Sequence, residues 1–144
     1  MAKAKKKGTQ EPLRMVYMVP CDSVSKDPNT GKATLYGLFD KIWLENIPGV
    51  IPRFSVFAKL DGLGKFPVIV EVVDPKGKII ESSKLDLEVK KDGFAILHMD
   101  FGNVDVRKAG DVEIRIMSGR RMVGNARIPV AKKKQARSPR KKRG

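Results

Sequence analysis

The sequence has few of the residues on which catalytic and metal sites depend. It contains one cysteine, Cys21, and one histidine, His98, in 144 residues. A lone cysteine forms neither an internal disulfide nor a zinc site, and such usage is typical of a reducing cytoplasm. No apolar run of about 18 residues is present, so no membrane-spanning helix is expected. The basic first residues are not followed by an apolar segment, so no secretory signal is expected either.

The few reactive side chains form no recognisable catalytic motif. A Cys21–His98 dyad would need contact between residues far apart in sequence, and a hydrogen-bonded strand histidine is the simpler interpretation of His98. Asp22, Asp27 and Asn29 offer oxygen ligands, but their spacing does not fit a calcium-binding EF-hand loop, and they are ordinary turn formers. We therefore predict a protein that is not an enzyme and takes no metal or cofactor. An enzyme that uses Cys21 remains a minor alternative.

Acidic residues are absent from both ends of the chain. Of the net charge of +14, four positive charges lie in residues 1–10 and eight in residues 132–144, which leaves +2 for the 121 residues between them. Both ends also have almost no large apolar side chains, so burial cannot offset the entropy of ordering them. We predict a basic N-terminal arm (1–12), a nearly neutral domain (13–130) and a basic C-terminal arm (131–144).

The middle of the chain alternates short Val-, Ile- and Phe-rich runs with dense turn signals. This pattern predicts strands near 13–19, 33–42, 53–61, 66–74, 78–89, 94–101, 111–118 and 121–130. Three hairpins are expected, pairing 66–74 with 78–89, 78–89 with 94–101, and 111–118 with 121–130. Without crossover helices, the pattern favours an all-β, antiparallel, immunoglobulin-like β-sandwich of seven or eight strands, with an OB-like barrel as the alternative.

Aromatic residues make up only 6% of the chain. The alternating pattern assigns Phe54, Phe66 and Phe94 to the core, whereas Phe57 falls on the opposite face from Phe54. Trp43 follows the second predicted strand and is interpreted as a core anchor or a surface-patch residue. The cations around Phe54 and Phe57 allow base stacking there, but the segment lacks the glycines of RNA-recognition and cold-shock motifs.

The C-terminal arm contains Ser138-Pro139-Arg140-Lys141. This unit resembles the Ser-Pro-basic-basic segments of histone-tail and linker-histone arms, which implies contact with the minor groove of A·T-rich DNA. Proline restricts the backbone, and the cations after it can lie in a narrow, negative groove. Lysine runs at both ends would act as point charges on phosphates, and they do not distinguish DNA from RNA.

A second resemblance covers residues 13–130. The run from Leu35 to Ile42 contains a Gly-x-Phe-Asp segment after a short first strand, and hairpins follow at Lys76-Gly77-Lys78 and Ser118-Gly119-Arg120. This arrangement resembles an uncharacterised bacterial family of small β-sandwich proteins. The resemblance implies a β-sandwich and no known activity, and the basic arms depart from the family pattern.

We predict a cytoplasmic, nucleic-acid-associated protein of architectural or ribosome-accessory type, in which the arms contact the phosphates of DNA or structured RNA. The alternative is a protein-interaction or assembly module that uses the surface of the sandwich. The residues predicted to contact nucleic acid are Lys3, Lys5, Lys6, Lys7, Lys132, Lys133, Lys134, Arg137, Ser138, Pro139, Arg140, Lys141, Lys142 and Arg143.

Overall fold

The computed structural model describes residues 10–134, and every regular element in that range is a β-strand. The eight strands are β1 (Glu11–Lys26), β2 (Ala33–Leu38), β3 (Ile42–Leu44), β4 (Gly49–Val73), β5 (Ile79–Val89), β6 (Ala95–Val106), β7 (Gly110–Ser118) and β8 (Arg121–Lys132). The prediction of an all-β fold is therefore confirmed. No helix in this part of the chain has the length and apolarity needed to cross a bilayer.

Strand β4 is 25 residues long and belongs to two sheets. Its first part pairs with β6 on one side, through residues 49–60, and with β1 on the other, through residues 55–63, and β2 extends β1. We call this group sheet A, with the strand order β2-β1-β4-β6. The later part of β4, residues 64–73, pairs with β5 and β7, and β8 and β3 follow. This group is sheet B, with the order β5-β4-β7-β8-β3.

The change of sheet occurs at two glycines. Gly62 and Gly64 have φ angles of 144° and 123°, which residues with a side chain rarely adopt. A Cβ on Gly62 would lie 2.8 Å from the backbone oxygen of Pro12. Our prediction of two separate strands, at 53–61 and 66–74, was wrong, because the glycines bend one continuous strand instead of ending it.

The core lies between the inner faces of the two sheets. In sheet A, Phe54, Val56, Ala58 and Leu60 alternate along β4 and are buried, and the ring of Phe54 stacks on Phe101 with centroids 5.1 Å apart. The inner face of sheet B consists mainly of branched aliphatic side chains, among them Val68, Val70, Val72, Val112, Ile114, Ile116, Ile128 and Val130, and it includes the ring of Phe66. The period of two in the sequence therefore did identify most of the core.

The two sheets make a β-sandwich, as predicted, with one departure from antiparallel pairing. Strand β3 pairs with β8 in parallel, whereas the other strand pairs are antiparallel. Within residues 10–134, β2 and β6 form the edges of sheet A, and β5 and β3 form those of sheet B. Because these edges stay open, the alternative of a closed OB-like barrel does not describe the fold.

Two of the three predicted hairpins are confirmed, namely β4–β5 and β7–β8. The third was wrong, because β6 pairs with residues 49–60 of β4 and not with β5. The tight turn at residues 90–93, with Asp92 at a φ of 61°, carries the chain from one sheet to the other. The predicted strand 33–42 is also interrupted after Leu38, and β1 continues past Cys21 to Lys26.

Candidate functional site

The outer face of sheet A combines aromatic, hydroxyl and charged side chains. Residues directly opposite each other in an antiparallel pair lie on the same face, so the register of β2, β1, β4 and β6 defines which side chains share it. We name this set the A-face. It consists of Tyr17, Val19, Cys21, Ser23, Tyr36, Leu38, Arg53, Ser55, Phe57, Lys59, Ile96, His98 and Asp100, with Phe94 just before β6.

Aromatic rings occupy the middle and one end of the A-face. Tyr17 and Phe57 stack with centroids 6.4 Å apart and an interplanar angle of 21°. Phe57 is only 8% exposed although it points outward, whereas Tyr17 above it is 41% exposed. The prediction that Phe57 lies on the opposite face from Phe54 is confirmed. Phe57 therefore packs beside the accessible Tyr17 ring and is itself largely covered.

Phe94 does not lie in the core, and that prediction was wrong. Its ring is 54% exposed, and Nζ of Lys59 lies 3.8 Å from the ring centroid. On β6 it is Ala95, Leu97 and Phe101 that point inward, which places the residues between them on the outside. The contact is a cation–π pair that holds the ring and the ammonium group together on the surface.

A polar network lies beside the rings. The Oγ of Ser55 donates to Oδ1 of Asp100 over 2.5 Å, and Nε2 of His98 lies 3.0 Å from the same oxygen. The hydrogen bond from Ser55 lowers the pKa of Asp100, and His98 adds to this effect although partial burial opposes it. Ser55 contacts the carboxylate and not the imidazole, so the order of contacts differs from that of a Ser-His-Asp triad.

Cys21 lies on the A-face but is fully buried. Its Sγ lies 3.5 Å from the backbone oxygen of Ser23, and burial raises the pKa of its thiol. A raised pKa lowers the thiolate fraction and so disfavours a nucleophilic role. Strand β4 separates Cys21 from His98, with Ser55 next to the cysteine in the register. The structure thus places the two residues on one face without joining them as a dyad.

The outer face of sheet B has a different chemistry, dominated by paired ions. Arg115 lies 3.0 Å from Glu113 and 3.9 Å from Glu71, and the side-chain amide of Asn125 donates to Glu113. Burial would raise the pKa of Glu113, but the hydrogen bonds from Asn125 and Arg115 and the charge of nearby Arg127 outweigh it and lower that pKa. The charged groups at the centre of this face are therefore paired with one another.

The acidic loop after β1 is a turn. Oδ1 of Asp27 accepts hydrogen bonds from the backbone N–H groups of Asn29, at 2.8 Å, and Thr30, at 3.4 Å. This is the local side-chain-to-backbone bonding that favours aspartate in turns. Between residues 10 and 134, no cluster of three or more His, Cys, Asp or Glu side chains is arranged to hold a metal ion.

The two basic ends join the sandwich at opposite ends of strand β8. At the start of β8, the guanidinium of Arg121 donates to the backbone oxygen of Leu13 over 2.6 Å, which fixes the beginning of β1 there. At the other end, the backbone N–H of Lys133 donates to Leu44 over 2.7 Å, and its Nζ lies 3.5 Å from Glu45. The eleven residue steps from Arg121 to Lys132 correspond to roughly 36 Å of extended chain.

Three of the predicted contact residues lie in the described range. Lys132, Lys133 and Lys134 are exposed, and Lys132 is still part of β8. Nearby on β3, Trp43 is exposed and Nζ of Lys41 lies 4.3 Å from its ring centroid, so Trp43 is a surface residue and not a core anchor. The other predicted contact residues lie outside the described residues, namely Lys3, Lys5, Lys6, Lys7, Arg137, Ser138, Pro139, Arg140, Lys141, Lys142 and Arg143.

A family model described as a family of unknown function, DUF6941, matches residues 16–131. The chain belongs to this family. The match confirms the resemblance to an uncharacterised family. The small β-sandwich that this resemblance implied is the fold of the structure. The histone-like unit at Ser138–Lys141 lies outside the described residues and stays a prediction. No curated protein matches the chain.

Similar solved structures include an immunoglobulin-like protein from Pseudomonas aeruginosa. The two sequences are 10% identical, and the structures superpose with a TM-score of 0.46. The similarity covers 83% of this chain and 96% of the Pseudomonas protein. A beta-glucosidase from Listeria innocua, in complex with isofagomine, is also similar, with 10% identity and a TM-score of 0.44. That similarity covers 84% of this chain but only 16% of the glucosidase.

Proposed function

We propose that this protein binds nucleic acid through its two basic ends, with the β-sandwich as a rigid head between them. The supporting observation is the distribution of charge on this fold. Twelve of the cations lie in the terminal segments, which contain no acidic residue. These segments join the head at the two ends of β8, roughly 36 Å apart. A polyanion held by both ends must therefore run along the head.

Counterion release would supply most of the affinity. If all twelve cations met phosphates of a duplex, log K would fall against log salt with a slope of about −11, and with half of them engaged the slope would be about −5. Such contacts carry no sequence information, so binding through the ends alone would discriminate poorly between sequences.

The test compares salt dependence in two variants of the full chain. In the first, the terminal cations are replaced by glutamine, except Lys132 and Lys133, which belong to the β3–β8 pairing. In the matched control, Lys90→Gln and Lys91→Gln remove exposed charges at the β5–β6 turn. We expect the terminal variant to lose most of the salt slope and the control to keep it. Unchanged affinity of the terminal variant at low salt would contradict the proposal.

A protein-interaction module is the second candidate, favoured by the exposed Tyr36 and Leu38 on the short edge strand β2. Under this alternative the ends are secondary and an apolar surface of the head makes the contact. The two candidates differ in their response to nuclease. Partners recovered with the tagged full-length protein would be lost on nuclease treatment if nucleic acid holds them, and would survive it if a protein surface does.

A further inference from the structure

We infer that the A-face is a stacking surface for the bases of a single nucleic-acid strand. This inference rests on the proposed function and adds to it the class of nucleic acid and the place of contact. The basic ends would hold phosphates of the strand, and the exposed rings of the A-face would receive its unpaired bases. The paired bases of a duplex cannot present their faces to a sheet in this way.

The rings have the arrangement that stacking requires. Tyr17 is accessible from solvent and packs beside the buried Phe57 of the neighbouring strand, so its ring is held in place without being covered. Phe94 is accessible at the end of the same face. Aromatic side chains fixed on a sheet are the usual platform for single strands, since every base has a π-face to stack.

Cations stand next to these rings. Lys59 lies over Phe94 and follows Phe57 on the same side of β4, and Arg53 is exposed further along that strand. A base on Phe94 or Tyr17 would place its phosphate within reach of Lys59. The A-face residues include two cations, Arg53 and Lys59, and one carboxylate, Asp100, which Ser55 and His98 contact, so the charge of this set is positive.

The centre of the outer face of sheet B has none of these features. At its centre, Arg115 forms ion pairs with Glu113 and Glu71. A base placed there would have no ring to stack on, and a phosphate would face carboxylates as often as cations. Sheet B offers one exposed ring, Trp43 on its edge strand β3, with Lys41 over it. The A-face has the larger set of exposed rings, in Tyr17, Tyr36 and Phe94, and this favours it as the surface that faces the strand.

The experiment measures binding of fluorescent oligothymidylate and oligouridylate of about 12 nucleotides, and of a duplex of equal length, to the full chain. The test variant combines Tyr17→Ala with Phe94→Ala. The matched control combines Ile79→Ala with Met122→Ala, which removes two apolar side chains that are each 47% exposed on sheet B. Tyr17→Phe keeps the ring and removes only the hydroxyl group.

For each stacking contact that is lost, we expect the double alanine variant to bind the single strands about 5- to 160-fold more weakly. Its affinity for the duplex should stay within about twofold, and the control and Tyr17→Phe should bind as the unchanged protein does. Comparison of the two single strands shows whether DNA or RNA is preferred. Phe94→Ala alone serves as a second variant, because Phe94 lies outside the strands and its removal leaves the Tyr17–Phe57 stack in place.

Two results would overturn the inference. One is unchanged single-strand affinity in a folded double variant, which would also leave the A-face open to a protein partner. The other is an equal loss on the single strands and on the duplex. Failure of the proposed function itself would look different, because the terminal variant would then keep its affinity for every probe.

Discussion

The two sheets of this protein share a core and a strand but present opposite chemistry to solvent. The outer face of sheet A carries aromatic rings and a cation–π pair, whereas the centre of the outer face of sheet B carries ion pairs. Both patterns come from the same rule, in which alternate residues of each strand point outward. The inward residues therefore decide the fold, and the outward residues are free to differ. A functional surface on a β-sandwich is found by comparing its two outer faces.

The largest effect is expected from the inner face of sheet A. Phe54→Ala removes a buried ring that stacks on Phe101, and it should lower the free energy of unfolding by about 3–5 kcal/mol. Tyr17→Ala, on the outer side of the same sheet, should cost less than about 1.5 kcal/mol because its ring is half-exposed. Urea unfolding of the two variants measures the difference, and equal losses would show that the A-face is part of the core.

A smaller effect is expected where β4 passes between the sheets. Gly62→Ala places a Cβ against the Pro12 carbonyl at an unfavourable φ and should cost about 1–3 kcal/mol. Gly102→Ala is the control, because a Cβ there makes only an ordinary contact at 3.5 Å and φ is not positive. Thermal unfolding should separate the variants, and similar midpoints would mean that the bend tolerates a side chain.

Sheet B allows a test of its charge network through pH. Glu113→Gln should cost about 1–2 kcal/mol at pH 7, since hydrogen bonds to a charged group are lost. Because the folded state lowers the pKa of Glu113, its contribution is complete above the unfolded value of about 4.5 and is lost as pH falls through the folded value. The stabilities of the two proteins should therefore converge in acid, and a gap that stays constant with pH would contradict this assignment.

The smallest effect is expected at Asp100 on the A-face. Its pKa is also lowered, but its side chain is 66% exposed and solvent screens its interactions, so Asp100→Asn should cost less than about 0.5 kcal/mol at neutral pH. Any difference should again disappear as pH falls below about 4. Unfolding curves between pH 3 and 7 test this, and a loss as large as that of Glu113→Gln would remove the contrast between the two faces.

Local sequence patterns predicted the class of fold and most of the core, because a period of two is enough to tell inward from outward residues. They placed Phe57 on the correct face and Phe94 on the wrong one. The error at Phe94 arose because a large apolar residue at a strand end was taken as inward, whereas Leu97 and Phe101 determine the alternation of β6.

Long-range pairing was not available from the same patterns. Gly62 and Gly64 signal a turn and a bend equally well, so the continuity of β4 could not be deduced. The pairing of β6 with β4 instead of β5 depends on contacts distant in sequence. The A-face was missed for the same reason, since Tyr17, Lys59 and Phe94 come from three separate segments. Only the cations beside Phe57 pointed toward it.

Strand β4, which the two sheets share, also determines how the protein should unfold and fold. Strand β4 is hydrogen-bonded to β1 and β6 in sheet A and to β5 and β7 in sheet B. Neither sheet can therefore come apart while the other stays intact. Backbone amides in both sheets should then exchange their hydrogens with solvent through one common, global opening. Most contacts within the protein join residues that are distant in sequence. Folding should therefore take milliseconds to seconds, as it does for other β-sandwiches rich in non-local pairing.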